Sequence, residues 1–106
     1  MLFVTILNPR PDLTAEQRQE GLRRRLEWTP PQGIKMIGEY WLQEAPARVV
    51  GISEADSPAA LFLVTPAWGD LFDIDIIPAL TAEEGLRLAQ QAAEQAAGQV
   101  PSELRR

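Results

Sequence analysis

Asp70, Asp73 and Asp75 form a close carboxylate cluster in this 106-residue sequence. On a strand, Asp73 and Asp75 would share a face about 7 Å apart. Two carboxylates so placed on a partly buried surface could raise one pKa and serve as a general base, which makes this pair the candidate catalytic residues. The alternative is that they decorate a solvent-facing edge strand and discourage edge-to-edge pairing. The same oxygens lack the glycine and glutamate of a calcium loop, so no metal site is expected. The aromatic residues point to binding. Trp28, Tyr40, Trp41 and Trp68 fall where elements end and pockets open, and Trp41, Trp68 and Tyr40 are the candidate ligand-binding residues for a planar apolar molecule. Packing inside a core or a dimer interface is the competing role for each. Lys35, the only lysine, shares a strand face with Glu39 and reads as exposed rather than as a Schiff-base nucleophile.

Composition narrows the chemistry further. With no cysteine and no histidine, the chain has no disulfide, no thiol nucleophile and no side chain that titrates near neutral pH without help. A net charge of −5 opposes a general affinity for nucleic acid or anionic membranes. Gly33, Gly38, Gly51 and Gly69 stand singly, so no loop cradles a nucleotide phosphate, and no cofactor is expected. The central strands offer only Arg48 and Phe3 where an RNA-binding sheet would interleave basic and aromatic residues. No apolar stretch reaches the roughly 20 residues that span a bilayer. The sequence opens on an apolar run with no basic n-region or cleavage site, which leads one to expect a cytoplasmic protein.

The elements that must position these residues follow from periodicity and punctuation. Met1 to Leu7 reads as a strand stopped by Asn8-Pro9-Arg10-Pro11-Asp12. Thr14 and Gln17 form a capping box for a helix from Ala15 to Trp28, with Ala15, Leu22 and Leu26 on its apolar stripe. Glu20 can pair with Arg23 or Arg24, so the Arg23-Arg24-Arg25 run reads as a solvated face. Ile34 to Gln43 is a second strand, with Ile34, Met36, Gly38, Tyr40 and Leu42 on one face and Lys35, Ile37, Glu39, Trp41 and Gln43 on the other. Ala47 to Ser53 completes a hairpin. Ser57 and Pro58 open a helix to Val64, Thr65 to Asp70 breaks it, and Leu71 to Ile77 is a fourth strand. Thr81 and Glu84 form a second capping box, opening a helix from Ala82 to Ala97 whose stripe is Ala82, Leu86, Ala89, Ala93, Ala96 and Val100. That alanine-rich stripe suits docking on a surface already formed.

This order predicts an α+β fold: a ferredoxin-like split βαβ domain over residues 1–97 with a tail at 98–106. Four antiparallel strands carry helices on one face, with an extra helix at the C-terminus. Right-handed crossovers put the first and third strands at the centre and the second and fourth at the edges. The first strand does not alternate apolar with polar, since Phe3 and Leu7 are as apolar as Leu2, Val4 and Ile6. Both sheet faces must then be covered, and a homodimer packing sheet to sheet through the open face is the economical solution. In a monomer, the last helix would have to fold back over that face.

With this layout in place, Leu26-Glu27-Trp28-Thr29-Pro30-Pro31 and Ala67-Trp68-Gly69-Asp70-Leu71 resemble an uncharacterised family, a domain of unknown function of the dimeric α/β-barrel, ferredoxin-like superfamily. The similarity covers about residues 1 to 97. Wider relatives include cofactor-independent monooxygenases of aromatic polyketides, muconolactone-isomerase-like proteins and heme-handling members. The resemblance implies a dimer and a pocket in each protomer between sheet and helices. It does not imply a reaction, and the absence of histidine departs from relatives that use one as base or heme ligand. The expected function is therefore that of a small cytoplasmic homodimer binding an apolar or aromatic small molecule, with or without cofactor-independent chemistry. The alternative is a structural or protein-interaction module with a filled interior.

Overall fold

A computed structural model of the chain describes residues 1–99. The elements run β1 (Leu2–Pro9), α1 (Ala15–Glu27), β2 (Ile34–Trp41), β3 (Val49–Ala55), α2 (Pro58–Leu61), α3 (Val64–Trp68), β4 (Phe72–Ala79) and α4 (Ala82–Gln99). The strands form one sheet in the order β2-β3-β1-β4 with every neighbouring pair antiparallel, so β1 and β3 are central as expected. This is an α+β architecture compatible with a ferredoxin-like fold. Both expected capping boxes are made: Gln17 N–H donates to Thr14 Oγ1 at 3.1 Å while Thr14 N–H donates to Gln17 Oε1 at 2.8 Å, and Thr81 and Glu84 repeat the exchange. Ser57 makes no side-chain cap, and Pro58 alone marks that helix start.

Three local expectations are corrected. Thr65 to Trp68 does not break a helix but belongs to α3, because Pro66 falls within its first turn, where no backbone N–H is needed. Strand β4 continues through Pro78, which an edge strand tolerates. Most consequentially, the register of β2 against β3 shifts between Met36 and Gly38, leaving Ile37 as an extra residue in a β-bulge. From that point the side chains change face. Glu39 pairs across from Gly51 and Trp41 from Val49, on the face of Phe3, Thr5 and Leu7, whereas Tyr40 sits opposite Val50 on the other face.

The core lies at one end of the inner face, where α2 and α3 pack. Phe3, Ala55, Leu61, Val64 and Trp68 form one buried cluster there, with Leu71 buried beside Gly21. A Cβ on Gly21 would stand 3.2 Å from Leu71 Cδ1, so this glycine is what lets α1 approach the core at that point. The rest of α1 does not close down on the sheet. Of its large apolar residues Leu22 is 52% exposed and Leu26 is 88% exposed, and no residue of the helix is buried, contrary to the expected apolar stripe. Apart from Leu22, the residues it turns toward the space beneath it, Gln17, Arg18, Gly21 and Arg25, are small or polar, and they cannot fill it.

The opposite face of the sheet carries Leu2, Val4, Ile6, Val50, Ile52 and Ile77, and no helix of the described residues covers it. Helix α4 does not fold back over it: residues 86–98 are all exposed, and the radius of gyration is 19.7 Å against about 13 Å for a compact chain of this length. The expectation that α4 docks on an existing surface of its own chain is therefore corrected. Val100 and nearly all of the 98–106 tail lie outside the described residues.

Candidate functional site

Because α1 stands off the sheet, a cavity of about 570 Å³ opens between them, within the usual range of small-molecule sites. Its floor is the inner face of β1, β2 and β3, from Thr5 and Leu7 to Met36 and Ser53. The exposed members of its lining, including Arg18, Leu22, Trp41 and Pro46, mark where it meets solvent, and the buried ones, Thr5, Gly51, Ser53, Leu61 and Trp68, mark its inner end. All three tryptophans of the chain line it. Trp68 is wedged edge-on between Trp28 and Phe72, with ring centroids 6.1 Å away on either side, which fixes the inner wall.

Helix α1 is held over this space by its arginines. Arg24 donates to Asp70 and to the carbonyl of Ala67, and its guanidinium lies 5.4 Å from the Trp68 ring centroid. That contact holds the Asp70 carboxyl below the ordinary aspartate range, and the Asp70 carboxylate in turn raises Arg24. Arg25 reaches across to β2, its Nε 3.1 Å from each oxygen of Glu39, and Trp41 Nε1 donates to the same carboxylate at 2.8 Å. Arg23 is spent along its own helix, on Glu20 and Glu27, and Arg24 also lies 3.8 Å from Glu20, as the helical spacing predicts. The expectation of a solvated Arg23-Arg24-Arg25 face is thus corrected: two of the three arginines fasten the helix to the rest of the fold.

Of the sequence candidates, the structure brings Trp41 and Trp68 to the cavity and leaves Tyr40 outside it. Tyr40 is 58% exposed on the open face, its ring against Gly38, because the bulge at Ile37 inverts the alternation on which its placement was based. Asp73 and Asp75 lie on the same open face of the edge strand β4, away from the cavity. Asp75 accepts from Asn8 Nδ2 at 3.2 Å and Asp73 faces Arg10 at 3.6 Å, an arrangement that fits the edge-decorating alternative. Lys35 is exposed opposite Glu54. Sequence reasoning missed Glu39, the one carboxylate in the cavity lining, along with Arg18, Arg25, Thr5 and Ser53. Glu39 becomes legible only once the bulge is known, whereas Thr5, Ser53 and the two arginines lie on β1, β3 and α1, whose faces the bulge does not alter.

Chemically, Glu39 is engaged by two donors, and the Thr5 and Ser53 hydroxyls have no base beside them. No group of three or more His, Cys, Asp or Glu among the described residues is placed to hold a metal ion. No helix among the described residues is long and apolar enough to cross a membrane. A split βαβ sheet with an apolar cavity beneath its first helix is the class of protein that fold and site define. The chain belongs to the family described as Domain of unknown function (DUF3303), which matches residues 1–93. No curated protein matches it.

Proposed function

We propose that this protein is a homodimer of the dimeric α/β-barrel type, cytoplasmic as the sequence leads one to expect, and that each protomer binds an apolar or aromatic small molecule in the cavity beneath α1. The observation that carries this reading is the cavity itself, about 570 Å³ walled by three tryptophans. A module built only to fill its interior gains nothing from such a void, since each unfilled volume forfeits packing contacts. The dimer is supported by the uncovered apolar face, on whose central residues Val4, Ile6, Val50 and Ile52 no helix packs among the described residues. Trp41 and Trp68 are the ligand-contacting residues of this reading.

Thermal unfolding across a library of planar apolar compounds tests it. Selective stabilisation that Trp41→Ala diminishes is the expected result. No stabilisation by any compound, or stabilisation that Trp41→Ala leaves unchanged, would remove the binding role or that residue from it.

A further inference from the structure

The ionisable groups around the cavity are unevenly spent. Its lining carries Arg10, Arg18, Arg25 and Glu39, three cations against one anion in a chain whose net charge is −5. Arg10 donates Nε and Nη2 to the Gly69 carbonyl and faces Asp73. Arg25 is taken by Glu39. Arg18 differs: the one hydrogen bond of its side chain runs from Nη2 to the carbonyl of Leu13 at 3.1 Å, and no carboxylate among the described residues pairs with it. It sits at the exposed end of the lining, on the helix that roofs the cavity.

The inner end holds a second unspent set. Thr5 is 7% exposed and Ser53 is 2% exposed, both line the cavity, and neither hydroxyl is hydrogen-bonded to another protein group among the described residues. No buried side-chain oxygen among the described residues lacks a partner, so these two unbonded hydroxyls open onto the cavity, where they can receive a ligand oxygen or water standing in for it. The remaining walls are largely apolar, Leu7, Met36, Val49 and Trp41 among them.

We infer that the ligand is an organic acid with a flat apolar body, its carboxylate held by Arg18 at the mouth and an oxygen substituent received by Thr5 and Ser53 at the buried end. This rests on the binding reading above and specifies its ligand class. Arginine suits the role because its planar fork meets a carboxylate with two parallel hydrogen bonds, and its charge does not titrate away.

Three probes separate the parts: 2-naphthoate, its neutral isostere 2-naphthamide, and 6-hydroxy-2-naphthoate, each followed by quenching of tryptophan emission. The acid should bind about tenfold more tightly than the amide, as a charge-assisted pair at a partly screened site allows. Arg18→Gln should bring that ratio to about one while leaving the amide unchanged. The hydroxylated acid should bind more tightly than the plain acid, and Ser53→Ala should narrow that gap. Equal affinity of acid and amide, or a preference that survives Arg18→Gln, overturns the assignment of an anion. A hydroxyl without effect overturns the inner-end contact. Gly51→Leu distinguishes these outcomes from failure of the cavity itself. A Cβ there meets Met36 Cε at 3.6 Å and fits, and the longer side chain then occupies the floor. All three probes should lose binding in that variant. Binding of all three that Gly51→Leu leaves intact would place them elsewhere and overturn the cavity reading along with the inference.

Discussion

Arg24 and Asp70 meet nitrogen to oxygen twice, at 2.8 and 3.0 Å, although 46 residues separate them in the chain. The pair ties the last turn of α1 to the turn before β4. Because Arg24 depresses the folded-state pKa of Asp70, the pair contributes stability above the ordinary aspartate pKa and loses it as pH falls through the lower folded value. Arg24 also covers Trp68, so tryptophan emission should change in acid in the native protein. Asp70→Asn should show the altered emission already at neutral pH and little further change on acidification. A variant whose titration overlays the wild type would exclude the pair as the fastening point.

Glu39 holds Arg25 and Trp41 together at the edge of the cavity. Glu39→Ala leaves both donors without an acceptor, and a urea titration should show a loss of about 1 kcal/mol with a red shift of tryptophan emission. Glu39→Gln, which keeps an acceptor for Trp41 Nε1, should recover the emission but not the full stability.

Gly33 adopts a φ of +92°, and the nearest atom to a Cβ built there is Ala60 Cβ at an unstrained 3.6 Å. The cost of Gly33→Ala is then a backbone cost alone, about 1–2 kcal/mol in the midpoint of chemical unfolding. No change would mean that the turn before β2 relaxes without penalty.

The dimer proposal is tested at Val4, which lies between Ile52 and Ile77 on the uncovered face. Light scattering on the wild type at micromolar concentration should give twice the protomer mass, and Val4→Glu should give one. Cavity binding should survive in Val4→Glu, because Thr5 and not Val4 faces the cavity. A wild type that is monomeric removes the proposal.

The bulge makes a prediction of its own. Deleting Ile37 restores simple alternation along β2 yet keeps Glu39 and Trp41 on the inner face, so Trp41 emission should be preserved. Deleting Lys35 instead removes an in-register residue, and the two faces should then exchange N-terminal to the bulge, with a large loss of stability.

Much of this fold is legible in the order of its punctuation: the two capping boxes and Pro58 at a helix start are local signals that local structure obeys, although β1 runs on through Asn8 and Pro9, where the Asn8–Asp12 signal places a stop. The central placement of β1 and β3 follows from crossover handedness, which does not depend on any single side chain. What escaped is nonlocal. The placements of Tyr40 and Trp41 depend on one unpaired residue, Ile37, whose identity carries no bulge signal, and strict alternation therefore puts both on the wrong faces. Helical spacing makes the arginine run a solvated face, yet Arg24 finds a partner before β4 and Arg25 one on β2, which no helical spacing contains. The cavity follows from what α1 lacks, and Leu22 and Leu26 looked on paper like an ordinary buried stripe.

The two margins of the sheet bear on how far association can go. Strand β2 is bent by its bulge, while β4 carries Pro78, which has no N–H to donate, and the charges of Asp73 and Asp75. Neither margin offers a straight run of free amides and carbonyls to an incoming strand, so sideways growth, which has no natural end, is discouraged at both. A broad face, by contrast, is consumed by its first occupant. If copies of this chain meet through that face, the symmetry closes on itself and the count stops at two.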